Sequence, residues 1–147
     1  MNRVAAEAGL SGAYFLNATG LDLTSERPGA VGSAEDVARL FAWILKQMPQ
    51  ILFATQATAI DVMSQEGDLH HFVSSGERAL VIPGLVGVKT GFTDLAGGNV
   101  VIGWSAFGRS YVVVVLGSTR EGRFSDALTL YRSTMDFLDV SAYDGAP

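Results

Sequence analysis

Apolar and polar positions alternate along this chain with two different periods, and each marks a different element. From Ser33 the spacing is helical: Val37, Leu40, Phe41, Ile44, Leu45 and Met48 fall on one stripe. Ser33 is placed to cap the helix, Glu35 and Asp36 sit in the first turn where the helix dipole favours anions, and Pro49 ends it. Residues 1–9 read as the last turns of a helix closed by Gly9, with Val4, Ala5 and Ala8 on a side that needs a partner, expected beyond this chain. Residues 17–32 hold too many turn formers for a regular element and are expected to be a surface loop. Residues 50–68 mix β-branched and polar residues without a clear period, and His70 to Val73 reads as a short strand before the turn-like Ser74-Ser75-Gly76.

After Pro83-Gly84 the pattern changes to three strand-like runs, 86–92, 99–107 and 110–117, the last two joined by a turn at Gly108-Arg109. These predict an antiparallel meander. The run from Tyr111 to Leu116 is apolar on both faces, so both faces of the sheet need cover. Phe124, Ala127, Leu128, Tyr131, Met135 and Leu138 supply one cover, as a stripe on a final helix. Trp43 and Trp104 are expected in the core, and residues from Ser141 on are expected to fray. The prediction is one α+β domain with helices packed on an antiparallel sheet.

Composition narrows the functional classes. The 147 residues carry a net charge of −5 with their ten Lys and Arg scattered, which argues against nucleic acid as a partner. Without cysteine there is neither a disulfide nor a thiolate metal site. The first eight residues interrupt their short apolar stretch with Glu7 and do not read as an export signal. No run of about 18 apolar residues occurs, so a soluble chain is expected.

The chemistry concentrates around Lys89. Residues 83–99 gather glycines about one lysine, in a chain whose other lysine is Lys46. A glycine such as Gly91 inside a strand leaves room for another backbone, Lys89 adds positive potential and Thr90 a hydroxyl, a set suited to a peptide ending in a carboxylate. The residues alone are equally compatible with a solvated lysine among turn glycines. A phosphate-binding loop is disfavoured because Val88 stands where a glycine should precede the lysine. Asp68, His70 and His71 do not make a metal site, since alternation sends the two histidines to opposite faces, and they are read as solvated loop histidines. Ser105 lacks the second glycine of a nucleophile elbow, Phe107 standing in its place.

Lys89-Thr90-Gly91, followed by Phe92-Thr93-Asp94 and Ala96-Gly97-Gly98-Asn99, resembles the Lys-Thr-Gly strand of serine D-alanyl-D-alanine carboxypeptidases, low-molecular-mass penicillin-binding proteins related to the β-lactamases. Met1-Asn2, residues 15–22, Ser33-Ala34-Glu35-Asp36, Leu116-Gly117-Ser118 and Arg123-Phe124-Ser125-Asp126 resemble further family segments in family order. The resemblance covers residues 1–139, with 140–147 as a tail. It implies part of a β-lactamase/transpeptidase-like fold whose C-terminal helix packs on the sheet. It also implies an enzyme that trims peptidoglycan stem peptides ending in D-Ala-D-Ala through an acyl-serine, is acylated by β-lactams, uses no cofactor and works outside the cytoplasmic membrane.

By the same resemblance Lys89 tunes the electrostatics of the site as its catalytic residue, and Thr90, Gly91, Phe92 and Thr93 bind substrate. Thr90 would hold the terminal carboxylate, and the Phe92 N–H would stabilise the oxyanion. The family's Ser-x-x-Lys and Ser-x-Asn motifs do not occur in this sequence. They are expected upstream of Met1, in a missing N-terminal half, which leaves the chain inactive alone; the alternatives are a non-catalytic peptide or cell-wall binding module and a subunit completed by a separate N-terminal half. Residues 74–80 depart from the family's usual Asn-rich stretch, and Arg78 within them is read as a surface arginine, with service to a carboxylate as its alternative.

Overall fold

The structure is a computed structural model and describes residues 1–79 and 81–144. In chain order the elements are α1 (Asn2–Glu7), β1 (Tyr14–Phe15), β2 (Ala30–Val31), α2 (Ala34–Gln47), α3 (Gln50–Phe53), a 3₁₀ turn (Ala54–Gln56), β3 (Ala59–Met63), β4 (Leu69–Val73), a second 3₁₀ turn (Glu77–Ala79), β5 (Leu85–Thr93), β6 (Gly97–Ala106), β7 (Arg109–Ser118) and α4 (Gly122–Asp144).

The meander forms as the three apolar runs require. β6 lies in the middle of an antiparallel sheet ordered β5-β6-β7, with Lys89 opposite Val101 and Val101 opposite Val114. Alternation divides its side chains between two cores. Val88, Val100, Ile102, Trp104, Val113 and Val115 pack with Phe124 and Ala127 of α4, while Val101, with Val86, Val112 and Val114, packs against Phe41 of α2 and Leu52 of α3. Each large aliphatic side chain so buried contributes about 1.5–3 kcal/mol. Both faces of β7 are covered, one by each layer. The fold is α+β, with antiparallel sheets packed by helices that include a C-terminal one.

Local chemistry sets the element ends. The Ser33 hydroxyl accepts from Asp36 N–H (3.1 Å) while the Asp36 carboxylate accepts from Ser33 N–H (3.0 Å), a reciprocal capping box. Gly9 closes α1 at φ 77°, and Asn2 clasps the Phe15 backbone through both its amide atoms. The hairpin between β6 and β7 turns at Phe107-Gly108, one residue before the expected place. Both have positive φ (51° and 73°), as the tight turn that matches strand twist demands.

Four further features depart from the sequence reading. Residues 59–63, left unassigned, form β3 and pair with β4; the hairpin is exposed along nearly its whole length, so no buried face imprints a period on it. The loop expected over residues 17–32 is closed by the β1–β2 bridge and organised by Asn17, whose side chain accepts from Thr19 N–H and Gly20 N–H and donates to Leu21 O. Trp104 is buried as expected, but Trp43 is only half-buried. Helix α4 continues to Asp144, into the stretch read as a frayed tail from 140, and residues 145–147 of that tail lie outside the described residues.

The outer side of α1 meets an apolar groove of about 330 Å³ lined by Met1, Val4, Ala5, Leu10, Phe15 and Leu40. Among the described residues no helix is long and apolar enough to cross a membrane.

Candidate active site

Strand β5 is an edge strand, and half of its outer edge is already used. The Val86 carbonyl accepts from Gln56 Nε2 (2.9 Å), and Val88 N–H donates to Thr55 Oγ1 (3.1 Å). Backbone groups alternate sides along an antiparallel strand, so Thr90 and Phe92 turn theirs outward as Val88 does. Beyond Val88 no strand pairs with this edge among the described residues. The Lys-Thr-Gly segment therefore starts where the 3₁₀ turn stops covering the strand.

Side chains dress this edge with positive charge and hydroxyls. Lys89 is exposed and folds back to donate from Nζ to Thr90 O at 2.5 Å. The Thr90 hydroxyl lies 2.7 Å from that of Ser75, which the turn after β4 delivers. Gly91 has open space: a Cβ there would meet nothing nearer than Asn99 Cβ at 4.0 Å. The Phe92 ring lies 4.0 Å beneath the Arg120 guanidinium. Thr93 points elsewhere, its hydroxyl accepting from Ala96 N–H (3.1 Å) to hold the β5–β6 turn.

The sequence reading missed Arg123. It is 8% exposed, donates from Nη1 to Gly91 O at 2.6 Å, lies 4.9 Å from the Phe124 ring centre, and has a buried Nε without a hydrogen-bond partner. A desolvated cation with an unused donor is a strong attractor for an anion. Arg123 opens the Arg123-Phe124-Ser125-Asp126 segment that carried part of the family resemblance, but nothing local marked the arginine as buried.

Two hollows meet at Ser74-Ser75. One, of about 230 Å³, runs between Lys89, Thr90 and the apolar wall of Ile60, Phe72 and Val73. The other, of about 270 Å³, is lined by Arg78, Arg120, Glu121, Arg123 and Phe124. Lys89, Arg78, Arg120 and Arg123 thus bring four of the ten Lys and Arg of a net-negative chain to one place, with Glu121 ion-paired to Arg78. Such a cluster raises the local concentration of anions.

The other sequence candidates stay apart from this place. His70 and His71 lie on β4 rather than in a loop; His70 stacks near Phe72, and His71 Nδ1 lies 2.6 Å from Asp61 on the facing strand. Among the described residues no group of three or more His, Cys, Asp or Glu is arranged to hold a metal ion. Leu80, in the divergent 74–80 stretch, lies outside the described residues.

Comparison with known proteins places the chain in a family. Residues 1–120 match the model of the D-alanyl-D-alanine carboxypeptidase family. Penicillin-binding protein D2 from Listeria monocytogenes, in its ampicillin-bound form, superposes with a TM-score of 0.76 at 30% identity, over 89% of this chain and 52% of that one. A peptidoglycan synthesis regulatory factor from Streptococcus pneumoniae gives 0.74 at 25% identity, over 95% of this chain and 45% of that one. The D-alanyl-D-alanine carboxypeptidase from Mycobacterium tuberculosis gives 0.66 at 26% identity, over 78% and 42%. The chain spans about half the length of the structures it matches. No curated protein sequence matches it. On the family match, the chain belongs to the D-alanyl-D-alanine carboxypeptidase family of serine peptidases.

Proposed function

We propose that residues 1–139 form the C-terminal part of the catalytic domain of a serine D-Ala-D-Ala carboxypeptidase, supplying the substrate-binding wall of its cleft. The nucleophile comes from chain outside the 147 residues, since no Ser-x-x-Lys or Ser-x-Asn lies within them. The observation that carries this reading is the open outer edge at Thr90 and Phe92, with unfilled space at Gly91 between them.

An extended stem peptide lies along that edge, and the missing Cβ at Gly91 lets its backbone approach. Thr90 and Arg123, which the hydrogen bond to Gly91 O brings beside it, face the terminal carboxylate in a charge-assisted contact. Lys89 supplies positive potential beside the reacting bond. Thr93 binds indirectly, holding the end of the strand through its turn. A serine oxygen attacks the carbonyl of the penultimate D-alanine, and the Phe92 N–H donates to the oxygen on which charge builds. The C–N bond then breaks, the departing amine takes a proton, and free D-alanine leaves. Water hydrolyses the acyl-serine. A β-lactam would acylate the same serine, and the peptidoglycan substrate places the work outside the cytoplasmic membrane.

Labelling with a fluorescent penicillin tests the reading. The chain itself should stay unlabelled on a denaturing gel, whereas a form extended N-terminally through an in-frame Ser-x-x-Lys should carry the label covalently. An unlabelled extended form would favour a non-catalytic peptide-binding module.

A further inference from the structure

The stretch of residues 74–80, which departs from the family's usual Asn-rich segment, brings a serine to the open strand. Its turn closes tightly on β5: a Cβ at Gly76 would stand 2.7 Å from Val88 Cγ1, so a glycine is what lets the chain pass this near the strand. Ser74 holds the turn, its hydroxyl accepting from Gly76 N–H (3.2 Å) and its own N–H donating to Thr58 O (2.7 Å). Ser75, between these two, is thereby set with its hydroxyl 2.7 Å from that of Thr90, at the point where the two hollows meet.

A hydroxyl carries one hydrogen and two lone pairs. Of the two hydrogens in this pair, one lies between the oxygens and the other is left over. Once Thr90 gives its hydrogen to a carboxylate, the contact between the hydroxyls requires Ser75 to be the donor. We infer that Ser75 is a positioning residue for the terminal carboxylate: it donates to Thr90 Oγ1 and so turns the Thr90 hydrogen toward the substrate. This rests on the reading of the β5 edge as a site for peptides ending in a carboxylate. Without that bond the Thr90 hydroxyl is freer to rotate, and ordering it on the carboxylate carries an entropy cost that the preformed pair reduces. Donation from Ser75 also polarises the Thr90 O–H, which strengthens its bond to an anion. The pair is exposed and adds little to folding, so its loss should be read in binding rather than in stability.

The test is nuclear magnetic resonance titration of this chain, following the Thr90 and Phe92 amides, with acetyl-D-Ala-D-Ala and with its C-terminal amide. The acid should bind several-fold more tightly. Ser75→Ala should weaken binding of the acid by about three- to tenfold, the range of a single hydrogen bond, and leave the amide peptide unchanged. Ser75→Thr, which keeps the hydroxyl, should bind the acid as the unaltered chain does. A serine that merely fastens the turn would move both peptides together. An acid preference unchanged in Ser75→Ala overturns the inference, as does equal weakening of both peptides. Thr90→Val should abolish the acid's advantage; if it does so while Ser75→Ala does not, the peptide site stands and the role of Ser75 falls. If the acid moves neither amide in the unaltered chain, the peptide-site reading itself fails and the role of Ser75 with it.

Discussion

On β6 a methyl group at Gly98 would stand 2.0 Å from Thr119 O, and one at Gly103 would stand 2.2 Å from the Phe41 ring; on β5, one strand away, a methyl group at Gly91 would meet only Asn99 Cβ at 4.0 Å. All three are strand glycines, which ordinarily weaken a strand. Packing inside the chain explains the first two. It does not explain the third, whose empty space faces outward beside Thr90, Phe92 and a buried arginine. The contrast separates glycines that the packing of this chain requires from one that it does not, and the latter is the one that the proposed peptide site uses.

Substitutions sharpen the contrast in order of expected size. Gly98→Ala drives a methyl group into a backbone carbonyl that cannot swing away, and should destabilise by about 3 kcal/mol or more. For a chain of this length that lowers the melting midpoint by roughly 6–12 °C, readable by circular dichroism. Gly103→Ala meets a side chain instead, and Phe41 can tilt, so about 1–3 kcal/mol is expected from the same measurement.

A smaller effect lies at the start of α2. Hydrogen bonds from the Ser33 backbone and hydroxyl, and from Gly12 N–H, hold the Asp36 carboxyl below its ordinary 3.8 despite burial pushing the other way. A depressed folded-state pKa contributes stability that is complete above the unfolded value and is lost as pH falls through the folded one. Asp36→Asn should therefore be less stable than the unaltered chain at neutral pH, and the gap should narrow below about pH 4 in denaturant titrations. A gap independent of pH would assign the role to shape rather than charge.

How far the sequence carried differs between the same regions. The sheet, α2 and the α4 stripe were legible because burial on defined faces imprints period two or period 3.6 on residues 33–48 and 86–138. Strand β3 was not legible because its hairpin is mostly solvent-exposed, and a strand with no buried face carries no alternation. Phe107 hid its turn, being a bulky residue at a positive φ that sequence rules reserve for Gly, Asn or Asp. At the site, Lys89 to Thr93 stood out through adjacency in sequence. Arg123 did not, because its partner Gly91 is 32 residues away and only the fold brings them together. Arg78 was read as a surface arginine, which its 56% exposure bears out, while its pairing with Glu121 was invisible.

The most direct test of the account is Gly91→Ala, measured twice on the same sample. Because this position is open, the variant should melt within about 1 kcal/mol of the unaltered chain, or slightly above it through lost unfolded-state freedom. Titration with acetyl-D-Ala-D-Ala should meanwhile no longer move the Thr90 and Phe92 amides that respond in the unaltered chain. Intact folding with lost peptide response is the predicted result; a substantial loss of stability, or undiminished peptide binding, would contradict the claim that Gly91 is kept open for a substrate backbone.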